Sequence, residues 1–251
     1  MAKGTAMSAD ERGVLPESGD GGQGTDARIG VGDKDELRQM LREAVSGKPF
    51  SELSAVTFDQ RGVALAGEAV LDALHERGFN FGDFDAVGAL TAAAVPLVIA
   101  VMHAAASQGK SLDGFVMDFV YPSIKGPSIR GKRVILLDSW LSEKSYVQTS
   151  SLVTLRNGNE LNLDFSIVEH EQAQVLAIVT LIGGLGANGS TSGGAGEAAS
   201  DGIAAAETAK ANKPGSAHTS DDASFVEVVD TINDSRHAVP FIQVFEEREL
   251  R

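Results

Sequence analysis

The stretch from Val134 to Thr149, which reads VILLDSWLSEKSYVQT, constrains the fold more than any other part of the chain. Its first four residues are apolar and follow a basic turn, which is typical of a buried strand in a parallel sheet. We expect that strand to end at Asp138, the residues Asp138–Ser145 to form a loop, and a helix to run from Tyr146 to Leu155. Ligands of doubly wound sheets bind beyond the carboxyl ends of the strands, so this loop would lie in a binding crevice.

A second unit of the same kind lies earlier in the chain, from Asp83 to His103. It is typical of a short strand, a turn of small residues and a long apolar helix. Two strand-loop-helix units in one chain predict an α/β fold with a doubly wound, mainly parallel sheet and flanking helices. Since the carboxyl ends of parallel strands meet at one edge of the sheet, we expect Asp138–Ser145 to lie beside Gly88–Ala94.

The turn of the earlier unit holds Gly88, Thr91 and Pro96, and it resembles the pyrophosphate loop of the orotate phosphoribosyltransferases, especially the actinobacterial form. Ala93 stands where that loop has glycine, and Val95 where it has aspartate. The resemblance implies a type I phosphoribosyltransferase-like fold. It also implies phosphoribosyl pyrophosphate or a nucleotide as ligand, with Mg²⁺ as cofactor if the chain is active.

The later unit keeps only part of that family's phosphoribosyl pyrophosphate loop. Asp138 matches the first residue of an acidic pair, which the resemblance assigns to the ribose hydroxyls, but Ser139 replaces the second. Glu143 and Lys144 stand where the family has threonine and glycine, so a carboxylate falls where a phosphate should lie. A like charge at contact distance costs about 1 kcal/mol in water and several in a cleft. We therefore expect weak binding of phosphoribosyl pyrophosphate.

The segment Met117–Ile124 is a second departure from the family, which has lysines and a mobile lid here. In this chain the lysines are absent and the lid is reduced to almost nothing. Lid closure excludes water and brings cations to the leaving group, so its loss should slow the reaction by orders of magnitude. Lys125, in a turn that resembles the family's Glu-Gly-Pro turn, is the nearby cation.

Three classes of function fit these residues. The first is a catalytically impaired paralogue with a regulatory or structural role, which the resemblance predicts to be a homodimer or a heterodimer with an active relative. The second is an active phosphoribosyltransferase for orotate or a related base, with Asp138 as its catalytic residue. The third is a module that binds a nucleotide or another small ligand. The candidate ligand-binding residues are Asp138, Ser139, Ser142, Lys144, Ser145, Gly88, Thr91, Ala92 and Lys125.

The composition limits the partners and the compartment. The chain of 251 residues is 43% hydrophobic and carries a net charge of -14, which opposes binding to nucleic acid or acidic membranes. No apolar run approaches the roughly 20 residues that span a bilayer. The absence of cysteine fits the reducing cytoplasm. The histidines lack metal-ligand spacing, so we predict no metal site.

Two low-complexity segments flank the predicted domain. Residues 1–32 show no periodicity, and residues 183–222 are dominated by Gly, Ala, Ser and Thr. Because neither segment can bury enough apolar area to offset chain entropy, we predict a disordered tail and a flexible insertion. The phosphoribosyltransferase-like domain would then comprise residues 33–182, and residues 223–251 would complete it.

Local patterns predict further elements inside this domain. Asp33 and Glu36 have the spacing of a capping box at the start of a helix that Gly47 ends. Trp140 lies in the predicted crevice, where it is either a plug for the sugar site or a packing aromatic. The other predicted elements are a strand at Val56–Phe58, a helix at Val63–His75, and strands at Leu112–Val120, Leu161–Glu169, Val175–Ile182, Phe225–Ile232 and His237–Phe245.

Overall fold

The structure is a computed structural model that describes residues 28–47, 53–142, 154–156, 160–162, 166–184, 224–230 and 235–251. Its helices are α1 (Val31–Val45), α2 (Ser54–Thr57), α3 (Gln60–Glu76), α4 (Val95–Ser107) and α5 (Ser166–Glu169). Its strands are β1 (Ala86–Ala89), β2 (Asp113–Asp118), β3 (Ser123–Lys125), β4 (Arg133–Ser142), β5 (Thr154–Arg156), β6 (Glu160–Asn162), β7 (Gln174–Gly184), β8 (Phe225–Asp230) and β9 (Ser235–Glu246). No helix in these ranges is long and apolar enough to cross a membrane.

The strands form a sheet in the order β3-β2-β1-β4-β7-β9-β8-β6-β5. Five consecutive positions, β2-β1-β4-β7-β9, are parallel to one another, whereas β3, β8 and β5 run antiparallel to their neighbours β2, β9 and β6. Numbered along the chain, the five parallel strands have the order 2-1-3-4-5, which is a doubly wound arrangement with its switch point between β1 and β4. The predicted α/β fold class is therefore confirmed.

Two apolar cores lie against the sheet. The first joins side chains of α1, α3 and α4 to one face of the sheet, with Leu37, Leu65, Leu97 and Leu137 among its buried members. The second joins α5 and side chains of β1, β2, β4 and β7 to the distal strands β6, β8 and β9. Both cores contain side chains of β4 and β7, so these two central strands are buried on both faces.

Several local predictions are wrong in detail. The predicted strand at Val56–Phe58 is instead the short helix α2, because three apolar residues do not distinguish the two periodicities. The predicted capping box also fails, since α1 begins after Gly30 without a side-chain cap. Asp33 and Glu36 bind the guanidinium group of Arg61 on α3, and this contact raises the pKa of Arg61.

The second half of the chain departs further from the predicted element order. Leu155, the predicted end of a helix, lies in strand β5, while residues 146–153 lie outside the described residues. The predicted strand at Leu161–Glu169 is divided between β6 and the short helix α5. The N-terminal helix starts at Val31 and β7 reaches Gly184, so only residues 1–27 and 185–222 of the two predicted low-complexity segments lie outside the described residues.

Candidate functional site at the switch point

The switch point brings Thr91 and Asp138 together. Strands β1 and β4 run in parallel register, with Ala89 opposite Leu137, and the chain leaves β1 directly into the turn that holds Thr91. The hydroxyl group of Thr91 donates a hydrogen bond to Oδ1 of Asp138 over 3.1 Å. The described parts of the two loops predicted to meet therefore lie side by side.

Asp138 does not end its strand, as the sequence suggested, but lies inside it. Strand β4 pairs with β7 from Arg133 to Ser142, with Asp138 opposite Thr180 and Ser142 opposite Gly184. This pairing continues through the polar residues 138–142, which the sequence indicated as part of a loop, so the strand is longer than its apolar run.

The carboxyl group of Asp138 is completely buried. Its Oδ1 accepts the backbone N–H of Ser139 over 2.7 Å, and the backbone N–H of Trp140 also donates to the carboxylate. Its Oδ2 is buried and has no hydrogen-bond partner among the described residues. Burial raises the pKa of Asp138 to about 7, and the hydrogen bonds from Ser139, Thr91 and Trp140 only partly oppose this shift.

The direction of the side chains changes just after Asp138. Leu137 and Trp140 belong to the same apolar core although they are three residues apart, and Leu141 belongs to the opposite core. Strict alternation would place residues 137 and 140 on opposite faces of the sheet. The two backbone N–H groups that bind the carboxylate lie within this irregularity, so Asp138 shapes the end of the strand.

Little space is left in front of Ser139. Its side chain lies against a cavity of about 70 Å³. The cavity is lined by residues of α2, of the turn after β1 and of the start of α4: Leu53, Ser54, Thr57, Phe58, Ala92, Ala93 and Pro96. Pockets that hold small organic ligands have volumes of about 300 to 1,000 Å³, so this space is too small for a nucleotide. The α2 residues were not predicted as site residues, because Val56–Phe58 was interpreted as a strand.

Trp140 lines a second, larger cavity near the strand end. This cavity of about 420 Å³ is bounded by the end of α1, by β7 and by the C-terminal turn, through Val45, Ser46, Gly47, Ile182, Glu247, Leu250 and Arg251. Trp140 is buried in the first core and forms part of the cavity wall. It therefore packs as an apolar side chain and also borders a space of ligand size.

The remaining candidate residues are placed differently. Gly88 lies within β1, and a Cβ atom there would approach the ring of Phe115 to 2.2 Å, so packing explains this glycine. Lys125 lies on β3, three strands from β4 in the sheet, and pairs with Asp118 over 3.7 Å. Ser142 is buried at the end of β4. Lys144 and Ser145, together with Glu143, lie outside the described residues.

The segment in which the family resemblance implies a lid is a tight hairpin. Strands β2 and β3 are antiparallel, and only residues 119–122 connect them. Asp118 accepts the backbone N–H groups of Tyr121 and Val120, which lowers the pKa of Asp118 and fixes the turn. The hairpin has neither the length nor the lysines of a lid that closes over a crevice.

No group of three or more His, Cys, Asp or Glu side chains in the described part of the chain is arranged to hold a metal ion. The carboxyl group of Asp138 is buried and already accepts three hydrogen bonds, so it does not offer the open carboxylate that Mg²⁺ needs. The described residues do not fit a Mg²⁺ site at this position.

Comparisons with known proteins support the resemblance seen in the motifs. The chain is 33% identical over 104 residues to the orotate phosphoribosyltransferase of Streptomyces avermitilis, covering 39% of this chain and 54% of that protein. It is 28% identical over 148 residues to the orotate phosphoribosyltransferase of Streptomyces coelicolor, covering 57% of this chain and 71% of that protein. The predicted resemblance is thus confirmed, and the match spans about half the length of the first of these relatives.

Solved structures of orotate phosphoribosyltransferase from Mycobacterium tuberculosis also align with the chain. The complex with inorganic phosphate has 21% sequence identity and a TM-score of 0.42, covering 61% of this chain and 83% of that chain. The complex with 5-phospho-alpha-D-ribosyl 1-diphosphate has 21% identity and a TM-score of 0.42, covering 62% and 78%. No family model matches the sequence.

Proposed function

We propose that this chain is an orotate phosphoribosyltransferase-like protein that is catalytically impaired and acts in the cytoplasm as a regulatory or structural subunit. The observation that carries the proposal is the orientation of Asp138, the matching acidic residue. Its carboxyl group is buried and accepts hydrogen bonds from Thr91, Ser139 and Trp140. A ribose hydroxyl could reach this buried group only if the surrounding residues moved apart, so the group is not presented as a ligand.

Three further features support the same proposal. Ser139, in the second acidic position, faces a cavity of about 70 Å³, which is too small for a sugar phosphate. The lid is replaced by the hairpin of β2 and β3, and Lys125 is paired with Asp118. Glu143 and Lys144 replace the residues that would surround a phosphate. Each feature removes stabilisation that phosphoribosyl transfer requires.

The proposal includes a partner, because the family resemblance implies a dimer and a regulatory subunit needs a protein to act on. The similarity to the two Streptomyces proteins points to an orotate phosphoribosyltransferase as that enzyme. We expect the chain to form a homodimer or a heterodimer with it, and to change its kinetics rather than to supply catalytic groups.

The test is an assay of orotate and phosphoribosyl pyrophosphate with Mg²⁺. The chain, its Asp138→Ala variant and the Streptomyces coelicolor relative would be compared, each alone and with the chain added to the relative. We expect the chain to turn over no faster than Asp138→Ala and to alter kcat or KM of the relative. Turnover well above that of Asp138→Ala would instead support an active phosphoribosyltransferase.

The cavity beside Trp140 favours a second candidate, a module that binds a nucleotide or another small ligand. Its volume of about 420 Å³ lies in the range of small-molecule pockets, and Trp140 offers an aromatic surface. A thermal-shift screen with orotate and the pyrimidine monophosphates tests this candidate. A ligand at about 100 times its Kd stabilises the fold by about 2.7 kcal/mol, and the Trp140→Leu variant should lose that shift.

A further inference from the structure

Asp138 has two carboxyl oxygens in unequal surroundings. Oδ1 accepts the hydroxyl of Thr91 at 3.1 Å and the N–H of Ser139 at 2.7 Å. Oδ2 is buried without a hydrogen-bond partner among the described residues. On the neighbouring strand Thr180 lies opposite Asp138 in register, and its buried hydroxyl oxygen also has no partner within the described part of the chain. One side of the carboxyl group is therefore satisfied and the other is not.

This arrangement fits a neutral carboxyl group better than a charged one. A carboxylate spreads its charge over both oxygens, and leaving one of them buried without a donor is costly. A carboxylic acid carries a proton on one oxygen and remains an acceptor on the other, which matches the contacts at Oδ1. Burial accordingly raises the pKa of Asp138 to about 7, so both charge states are accessible near neutral pH.

The elements packed against β4 supply little charge that could stabilise an ionised Asp138. At the strand end, Glu247 and Arg251 of the C-terminal turn pair with each other and line the cavity beside Trp140. The described residues of β1, β7 and the turn Ala92–Ala94 contain no ionisable side chain, and α4 contributes only His103, which is exposed. On β4 itself Arg133 lies at the opposite end and is paired with Asp85. Glu143 and Lys144 follow the strand and lie outside the described residues.

We propose that Asp138 is a proton-operated latch on the end of β4. In its neutral form the group stays buried and holds the backbone of Ser139 and Trp140 against Thr91. Loss of the proton leaves a charge that the surrounding residues do not compensate, so the strand end opens to admit water. Access to the crevice between β1 and β4 then depends on pH, whether or not the chain transfers phosphoribosyl groups.

Trp140 gives a direct readout of this latch, because it is the chain's single tryptophan and its backbone N–H binds the Asp138 carboxyl group. Its fluorescence would be followed in the full chain across the neutral pH range. We expect a one-proton transition with a midpoint near pH 7 and emission that shifts to the red as pH rises. The Asp138→Asn variant, which mimics the neutral acid, should keep the low-pH spectrum throughout.

A second variant keeps the test decisive if Asp138→Asn does not fold. The Thr91→Val change removes a donor that stabilises the charged form, so the midpoint should move to higher pH, by about one unit for a tenfold change in the equilibrium. The His103→Gln variant controls for the ionisable side chain of α4, and Glu247→Gln controls for the carboxylate that lines the cavity beside Trp140; both should leave the midpoint unchanged. Circular dichroism would establish that each variant is folded.

Several results of these measurements would overturn the proposal. A transition that persists in a folded Asp138→Asn variant, or that moves with His103→Gln and not with Thr91→Val, would assign the titration to another group and overturn the proposal. Flat fluorescence in the unmodified chain would also overturn it. None of these outcomes depends on catalytic activity, so they do not decide the proposed function.

Discussion

Asp138 combines a fully buried carboxyl group with hydrogen bonds from the backbone N–H groups at a strand end. The sequence predicted its position beside the turn after β1, because the apolar run before it and the matching family motif both mark it. Its burial was not predicted, since that depends on the pairing of Asp138–Ser142 with β7, a contact between residues about 40 positions apart. The same long-range pairing determines where Ser139 and Ser142 lie.

The raised pKa of Asp138 predicts a specific dependence of stability on pH. The folded value is about 7 and the ordinary value is 3.8, so between these values the folded state holds a proton that the unfolded state releases. Stability should therefore fall as pH rises from about 4 to about 7 and then level off. The Asp138→Asn variant lacks this loss and should be the more stable protein above pH 7, by on the order of 4 kcal/mol.

Urea unfolding of both proteins at several pH values measures this difference. Asp35→Asn is a matched control, because the Asp35 side chain is 63% exposed, and it should follow the unmodified chain. If Asp138→Asn were less stable than the unmodified chain at pH 8, the folded protein would contain a stabilising carboxylate, and the burial argument would be wrong.

At the scale of elements, helices α3 and α4 pack more closely than their sequences indicate. A Cβ atom on Gly67 of α3 would lie 2.4 Å from the carbonyl oxygen of Ala100 on α4. The sequence predicted both helices from their apolar spacing, but it gave no sign that their backbones nearly touch. By contrast, α2 was not predicted, because the three residues Val56–Phe58 are too few to show either a helical or a strand periodicity. Strand β4 was predicted too short, because its last residues are polar but still pair with β7.

Because of this close approach, the Gly67→Ala substitution is a sensitive test of the packing between α3 and α4. Alanine favours a helix by about 1 kcal/mol over glycine, but here it should force the two helices apart and lower the free energy of unfolding by about 1 to 3 kcal/mol. Thermal unfolding measures the change. The control is Gly32→Ala on α1, where a Cβ meets nothing within 4 Å, and that variant should be more stable than the unmodified chain. Equal effects of the two substitutions would contradict the described packing.

At the scale of the whole molecule, the path from β7 to β8 is much shorter than the chain that connects them. The end of β7 is in register with Glu246 of β9, and the start of β8 is in register with Pro240 of the same strand. Six residues along a strand and two strand spacings separate these points, a distance of roughly 22 Å. The 39 residues from 185 to 223 exceed what this path requires, so the fold does not need their length.

Replacing residues 185–223 by a linker of about 12 Gly and Ser residues should leave the Tm within a few degrees, because about 12 extended residues span roughly 40 Å. A linker of about 4 residues reaches only roughly 13 Å and should destabilise the protein strongly. Differential scanning calorimetry of both variants makes the comparison. Loss of cooperative unfolding with the longer linker would show that residues 185–223 contribute to the core.

The central claim is that the residues matching the phosphoribosyl pyrophosphate loop no longer bind that ligand tightly, and titration calorimetry with its magnesium complex tests this most directly. We predict no saturable micromolar binding by the unmodified chain. The triple variant Ser139→Asp, Glu143→Thr and Lys144→Gly should gain roughly tenfold to a thousandfold in affinity. It adds an acceptor for the ribose hydroxyls at position 139, removes the carboxylate at position 143 and restores phosphate donors at positions 143 and 144, changes worth about 1 to 3 kcal/mol each. Micromolar binding by the unmodified chain, or no gain in a folded triple variant, would contradict the claim.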